Sequence, residues 1–553
     1  MRDCIHLFNT EAEFNSAYTG EDYFEPWLSY TKENENVKYN KSWREKLDEI
    51  PLTFIITSDG VLNWANIDRG AEEAEFEGIP CALTLTLEYS KNNGPWIQIT
   101  STSGTYIWDD VEGIEYFSGG TKLNVLSGDT IQFRGDNQTY GIYSEECHEE
   151  EEDGETYEVC TFVSSWNTFG ASSCGFMLQG NIMSLVNSTG FVHTKDLQSA
   201  QTFGYMFEKA TGLTDISDLR LPATGLTKNC YVWMFAETNI ASVESIELPA
   251  TVLSEGCYSG MFTECENLTG SSCRLPALTL APDCYSDMFR HTAISTPPEL
   301  PATTLAMGCY DSMFRECNQL TETPELPATT LAEYCYSMMF YSCSSLTRVM
   351  SVIPVETIPE NACDKMFAAS PITDAPVICA TTVGSRGCQY MFGNCSNLTG
   401  IQDSFSATSI DEDGFNGMFS FTSVETVPYL PATALTRSCY SMMFANTGVK
   451  VVPRLPATTL AQECYRFMFS NCSALTTVTE LPAPTIATEA YEQMFQHCTN
   501  LNYVKCLALN PTTSNCSYWL YDVAANGTFV RRSGVSWPGG GSGIPGGWTI
   551  QNA

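Results

Sequence analysis

Basic residues are scarce in this chain. Lys and Arg number 27 against 65 Asp and Glu, which leaves a formal net charge of −38. Nucleic-acid binding needs a basic stripe, and none occurs. An anionic membrane surface would repel such a chain. No run of about eighteen apolar residues is present, so no helix long enough to insert in a membrane is expected. The opening stretch from Met1-Arg2-Asp3-Cys4 lacks the apolar run of a signal peptide, so export by that route is not expected. Histidine is rare as well, at His6, His148, His193, His291 and His497 only. There is no nucleophile elbow, phosphate loop, HExxH or short CxxC pair. These absences predict no catalytic residue, no metal and no cofactor. Coiled-coil heptads are absent too, so nothing specifies a trimer, although a homo-oligomer stays open.

What is present in abundance is a Met-Phe pair. Its phenylalanines are Phe207, Phe235, Phe262, Phe289, Phe314, Phe340, Phe367, Phe392, Phe419, Phe444, Phe469 and Phe495, at intervals of 25 to 28 residues. Such a period predicts a solenoid of about twelve stacked units with these rings in its core. Around Phe340, Cys335, Met339 and Cys343 are spaced by four, as are Tyr336 and Phe340, and this spacing predicts a short helix. The residue three after Phe is Cys with Leu at six (Cys343, Leu346), or Thr/Ser with a β-branched residue at five (Thr292, Ile294). A short extended segment follows and ends in Leu-Pro-Ala, as at Leu326-Pro327-Ala328, because Pro cannot donate to a ladder. Thr329-Thr330-Leu331 leads into the next unit, with Thr as an N-cap.

This pattern resembles the BspA-type leucine-rich repeat of surface antigens from Bacteroidetes and treponemes, with Met in place of the usual Ala before Phe. The resemblance covers residues 190 to 520 and departs most between 353 and 419. There Ile353-Pro354-Val355 replaces Leu-Pro-Ala, Cys363 and Cys388 sit four before Phe, and Gly414 replaces Cys. A locally irregular coil is expected there, without a break. Most of the 24 cysteines belong to the repeat. Cys309 and Cys317 would lie about 12 Å apart on a helix, beyond disulfide reach, so these thiols are expected buried and reduced.

The expected class is α+β and β-rich: an N-terminal β-sandwich followed by a leucine-rich-repeat solenoid of short parallel strands and short helices. The expected divisions are an attachment arm at 1–50, the sandwich at 51–180, the solenoid at 181–520 and an aromatic, Gly-rich cap at 521–553. The arm carries Trp27, Tyr30 and Tyr39, which either cover an edge of the next domain or anchor a partner. Alternation at Leu52–Ile56, Leu83–Tyr89 and Thr130–Phe133 argues the sandwich. Residues 89–96 and 128–137 look like a module placed before such repeats in Bacteroidetes and their phages. Arg134-Gly135-Asp136 reads as a strand entering an Asp-Asn turn rather than an integrin motif. Glu145 to Glu158 reads as a solvated acidic loop, flanked by Cys147 and Cys160, which could pair only under oxidation. Phe191 to Phe203 would close the front of the solenoid. Trp519-Leu520 takes the Met-Phe register at the rear, and Phe529, Trp537 and Trp548 read as an end cap rather than a carbohydrate platform.

Immediately before the strand-ending apolar residue stand Arg220, Glu247, Arg274, Glu299, Glu325, Val352, Val377, Ser404, Tyr429, Arg454 and Glu480. They vary in charge and size while the core positions do not, which suggests a variable recognition face on a fixed frame. The resemblance and its usual context imply a non-enzymatic fibre or appendage of a phage virion, made in the host cytoplasm. Its N-terminal region would attach to other virion proteins, and its solenoid would meet a host surface protein or glycan. The alternatives are a bacterial surface adhesin and a glycan-active enzyme on a solenoid.

Overall fold

The computed structural model describes residues 30–33, 36–39, 46–69, 85–99, 103–109, 114–137, 141–152, 155–350 and 352–553. The strands β1 (Tyr30–Glu33) and β2 (Asn36–Tyr39) form an antiparallel pair with Tyr30 opposite Tyr39. Ten further strands precede the junction. They are β3 (Leu52–Ile56), β4 (Gly60–Arg69), β5 (Leu87–Lys91), β6 (Ile97–Ile99), β7 (Ser103–Asp109), β8 (Ile114–Gly119), β9 (Thr121–Val125), β10 (Thr130–Gly135), β11 (Ile142–Glu152) and β12 (Glu155–Thr168). At the junction lie β13 (Phe176–Asn181) and β14 (Leu213–Arg220). One sheet runs β14-β13-β3-β10-β5-β6. A second runs β11-β12-β4-β7-β8, with β9 also on β4.

The first sheet does not stop at the N-terminal region. Strand β13 pairs antiparallel with β3 and parallel with β14, which is the first strand of the solenoid. Alternation along β10 buries Ile131 and Phe133, and the same period in β3 buries Leu52, Phe54 and Ile56. Phe54 meets Phe133, Phe169 and Phe176 at centroid distances of 5.2, 4.6 and 5.1 Å. Phe169 stacks on Phe207, the first ring of the repeat, at 5.6 Å. One continuous hydrophobic core therefore extends from Leu52 to Trp548.

Beyond β14 the chain is a β-solenoid of about eleven turns with almost no helix. The expected short helices, and with them the α+β class, do not form. Among the described residues the helical turns are Lys46–Leu47 and the 3-10 turn Ile182–Leu185. The Met-Phe segment is instead a ribbon of successive tight turns. In the Phe340 coil every fourth residue is left-handed: Tyr334 (φ 58°), Met338 (φ 48°) and Ser342 (φ 56°). A residue in that conformation cannot continue a right-handed helix. Alternate amides close turns, Ser337 N to Tyr334 O at 3.1 Å and Tyr341 N to Met338 O at 3.0 Å. The amides between them cross to the next coil: Tyr336 to Ala362 O, Met338 to Asp364 O, Phe340 to Met366 O and Ser342 to Ala368 O, at 2.8–2.9 Å. Each turn thus forms its hydrogen bonds partly within itself and partly with its neighbour, which is how a chain of turns is stable without a helix.

The twelve Met-Phe rings are all buried, as expected. They form one stack, with steps of 5.5 to 5.9 Å and interplanar angles of 3° to 15°. The stack runs unchanged through Phe340, Phe367, Phe392 and Phe419, so the departure of residues 353–419 from the repeat neither breaks the solenoid nor disturbs its turns. A second stack passes from Phe203 through Tyr231, Tyr258, Tyr285 and Tyr310 to Tyr336. It lapses where Cys363 and Cys388 take the Tyr position and resumes from Phe415 through Tyr440 and Tyr465 to Tyr491. At the rear, Trp519 stacks between Tyr491 (5.8 Å) and Trp537 (5.2 Å) and donates from Nε1 to Gly543 O at 2.8 Å.

The acidic run is also not a loop. Strands β11 and β12 form a long antiparallel hairpin that places Glu149 opposite Glu158 and Cys147 opposite Cys160. Only Ser164–Thr168 of β12 pairs onward with β4. Alternating β-formers at Tyr157, Val159, Thr161 and Val163 favour the strand in spite of the charge.

Candidate interaction surface

Each coil turns one edge of short strand toward solvent. The residue before the strand-ending Leu projects from it, because its neighbours on either side point into the core. Glu247, Arg274, Glu299, Glu325, Val352, Val377, Ser404, Tyr429 and Arg454 are all exposed there, and they form one column. Backbone pairing joins neighbouring members, as in Glu247 with Arg274, Val352 with Val377, and Ser404 with Tyr429. Arg220 belongs to the column by register but is buried at the junction, 7% exposed. It packs where the first coil meets the N-terminal sheet, so it does not face solvent with the others.

The rear of the column is an ion ladder. Glu480 accepts from Arg454 Nε at 2.8 Å and pairs with Lys505 Nζ at 2.7 Å. These two cations hold the Glu480 carboxyl below the usual carboxylate range. Alternating sign in one column was the signal for it. The centre is apolar apart from Ser404, with Val352, Val377 and Tyr429 exposed and Val451 exposed in the adjoining column. Cys379, at the place where other coils have Pro, is the exposed thiol among the described cysteines. Val451 and Cys379 were not anticipated, because each becomes a surface residue only once coils are superimposed.

Of the arm residues, Trp27 lies outside the described residues, and Tyr30 and Tyr39 are described only as a backbone pair. Arg134 is engaged internally, 2.8 Å from Glu88 and 4.0 Å from the Trp96 ring, and Asp136 accepts from Ser188 N and Oγ. His291 and His497 both take the left-handed position two after Phe, eight coils apart. His497 Nδ1 lies 2.9 Å from Asp522.

Inside, the cysteines form two ladders with different chemistry. Cys265, Cys317, Cys343, Cys395, Cys472 and Cys498 each donate from Sγ to the carbonyl of the preceding coil's Phe, at 3.0–3.1 Å. Thr238, Thr292, Thr422 and Thr447 serve the carbonyl of their own coil's Phe instead. Ser370 bonds Phe340 O at 2.8 Å, in the manner of the cysteines. The Cys-or-Thr alternation is therefore a choice of donor. The other ladder, with Cys335, is simply enclosed. Burial pushes the Cys317 thiol up to about 11 and that of Cys335 up to about 12, so neither supplies a thiolate at neutral pH. The twenty cysteines from Cys174 to Cys516 are all free thiols. No group of three His, Cys, Asp or Glu among the described residues could hold a metal ion.

No curated protein matches the chain. A leucine-rich repeat protein from Bacteroides ovatus ATCC 8483, known from its crystal structure, is similar at 14% identity and a TM-score of 0.31, over 69% of this chain and 90% of that one. BspA-type repeats are generally a non-enzymatic interaction fold. The family description "BspA type Leucine rich repeat region" matches residues 273–375 and 385–518 in six copies, and the solenoid carries repeats of that type.

Proposed function

We propose that the chain is a non-enzymatic interaction protein that recognises a partner through the exposed strand column of its solenoid. The observation that carries this reading is the contrast between a fixed core and a changing face. Twelve Phe rings repeat without exception behind a column that passes from charged to apolar and back to charged. The framework needs of the core do not dictate the residues of that column.

The setting is a virion appendage of a phage, with residues 1–50 attaching to other virion proteins and the solenoid meeting a host surface protein or glycan. It rests on the acidic composition and on the usual context of the resemblance. A bacterial surface adhesin is the second setting. Gold-labelled antibody against the chain should decorate purified particles. Decoration of uninfected cells, with bare particles, would favour the adhesin. Deleting residues 1–45 should leave folded protein that fails to join particles, because the buried Leu47 and the Ile50 carbonyl, which accepts from Asn181 N, are kept. Recognition is read with the full chain, because a cut at residue 180 would fall inside β13. Val377→Arg together with Ser404→Arg, both exposed on the column, should abolish binding to the recognised surface with the melting temperature near the parent value. Unchanged binding would rule out the strand column.

A further inference from the structure

Along the column, charge is handled differently at the centre from elsewhere. Val352, Val377 and Tyr429 are 39%, 45% and 56% exposed, and Val451 beside them is 45% exposed. Val352 and Val377 are neighbours in the column and Ser404 separates them from Tyr429; exposed apolar side chains grouped so closely on a monomer commonly mark an interface. The coils of Val352, Val377 and the intervening Ser404 depart from the repeat consensus, with Ile353-Pro354-Val355, Ile378-Cys379-Ala380 and Phe405-Ser406-Ala407 where Leu-Pro-Ala is usual, whereas Tyr429 precedes a regular Leu430-Pro431-Ala432. Their Phe stack is undisturbed, so framework needs do not account for the change.

Around that centre carboxylates outnumber cations. Each base near the apolar centre is already paired: Arg348 with Glu322, Lys450 with Glu425, and Arg454 with Glu480. Four exposed carboxylates of the rim have no ion-pair partner among the described residues. Glu299 and Glu325 precede Val352 in the column. Glu356 follows the strand of Val352, and Asp403 lies beside Tyr429, whose amide bonds its carbonyl at 2.8 Å. A second copy of this chain would bring a net charge of −38 against that rim, which opposes self-association.

We infer that this part of the strand face docks a polypeptide partner that is apolar at its centre and basic at its edge. The apolar side chains would cover Val352, Val377, Tyr429 and Val451, and Lys or Arg would answer the four free carboxylates. The inference rests on the reading of the strand column as the interaction surface and adds the chemistry of what it takes.

The test uses the full chain with an environment-sensitive fluorophore on Cys379, placed by peptide mapping, and Cys379→Ser as the unlabelled control. Three synthetic peptides serve as probes: Lys alternating with Val and Tyr, Glu alternating with Val and Tyr, and Lys alternating with Ser. The first alone should shift the emission, with affinity that falls as salt rises. Val377→Lys and Tyr429→Ser should each weaken it about tenfold or more. Glu333→Lys, an exposed charge reversal away from the column, should leave it near the parent value. Equal binding of both Lys peptides, or equal loss in Val377→Lys and Glu333→Lys, would mean general charge attraction and overturn the inference. A response to the Glu peptide alone would overturn the basic partner while keeping the strand face as an interaction surface. Silence with all three peptides would overturn the docking site.

Discussion

The turn side and the strand side of each coil are built to different standards. On the turn side, amides cross to the next coil without interruption from Gln201 to His497, and the Phe rings stack at one spacing throughout. On the strand side, the ladder is in pieces, with solenoid sheets of two, two, three and five strands. Proline is the cause in several coils. Pro298, Pro324, Pro376, Pro428 and Pro453 sit in the strand segments and donate nothing. A repeat protein named for its leucines and strands is thus held in register by its turns. The strand side is released from that duty, and its column of residues before the strand-ending apolar position changes in charge and size from coil to coil.

The contrast is broken most directly at the Phe stack. Phe340→Ala should cost about 3–5 kcal/mol, as a fully buried ring does. The damage should spread to the coils of Phe314 and Phe367, because coupling is between neighbours. Hydrogen exchange across those three coils and a chemical unfolding curve measure both. Val377→Ser, on the strand side, should change stability by less than about 0.5 kcal/mol. Equal costs would mean that the two sides share the framework.

The two cysteine ladders sharpen the picture within the turn side. Cys335→Ser puts a hydroxyl in an enclosed place and should cost about 1–3 kcal/mol. Cys343→Ser keeps its acceptor, the Phe314 carbonyl, and Ser370 already makes the equivalent bond at 2.8 Å. It should cost well under about 1 kcal/mol. Unfolding midpoints of the two variants decide, and equal losses would remove any role for the Sγ bonds.

The register of this core was legible in the sequence, and the backbone conformation was not. Phe340, Met339, Cys335 and Cys343 are buried where their spacing put them. Spacing by four, however, fits two structures. An ideal helix turns about 100° per residue, so positions four apart drift by about 40°. Over two such steps that drift is tolerable, and the turn ribbon has none. The left-handed positions were hidden because most hold residues other than Gly. Superimposed coils would have exposed them: Asn229, Gly256, Asp283, Gly308, Asn361 and Asp413 share one place in the coil, and Asn394, Asn446 and Asn471 another. These are the residue types that tolerate positive φ. On the candidate face, the column was legible as variation against a constant core. The burial of Arg220 was not, because it depends on β14 adding to an N-terminal sheet that no local pattern announces.

A smaller effect separates the solenoid from the N-terminal region by pH. Asp311 is held up to about 6, first by its burial on the turn side and then by Asp287 and Asp283 nearby. Its ordinary value is 3.8. Between these values the folded state binds more protons than the unfolded. The stability tied to this group is therefore fully present below 3.8 and falls as pH rises toward 6. Asp129 has the opposite sign. Lys91, the Leu126 amide and Asn92 hold it down to about 2, so its contribution is present above 3.8 and lost as pH falls. Asp311→Asn should flatten the solenoid's decline between pH 4 and 6, and Asp129→Asn should leave that decline in place. Melting temperatures across the window check both. An unchanged slope in Asp311→Asn would remove Asp311 as its source.

The smallest effect is the most diagnostic, because its sign depends on which local structure exists. Ser342 is left-handed at φ 56° and its amide bonds Ala368 O at 2.9 Å. In a helix interior, a change to Gly would cost up to about 1 kcal/mol. In the turn ribbon the same change relieves the strain that a Cβ suffers at positive φ, and it keeps the amide. Part of that gain is lost to the greater freedom of Gly in the unfolded chain. The net expectation for Ser342→Gly is a gain of about 0.5 kcal/mol, from a relief near 1 kcal/mol less that entropy. Ser345→Gly, on the bend just beyond the ribbon, is the control, since its φ is not positive and its hydroxyl bonds Asn318 O at 2.7 Å. It should lose stability. Should Ser342→Gly also lose about 1 kcal/mol by chemical unfolding, the ribbon of left-handed turns would be the wrong account of the Met-Phe segment.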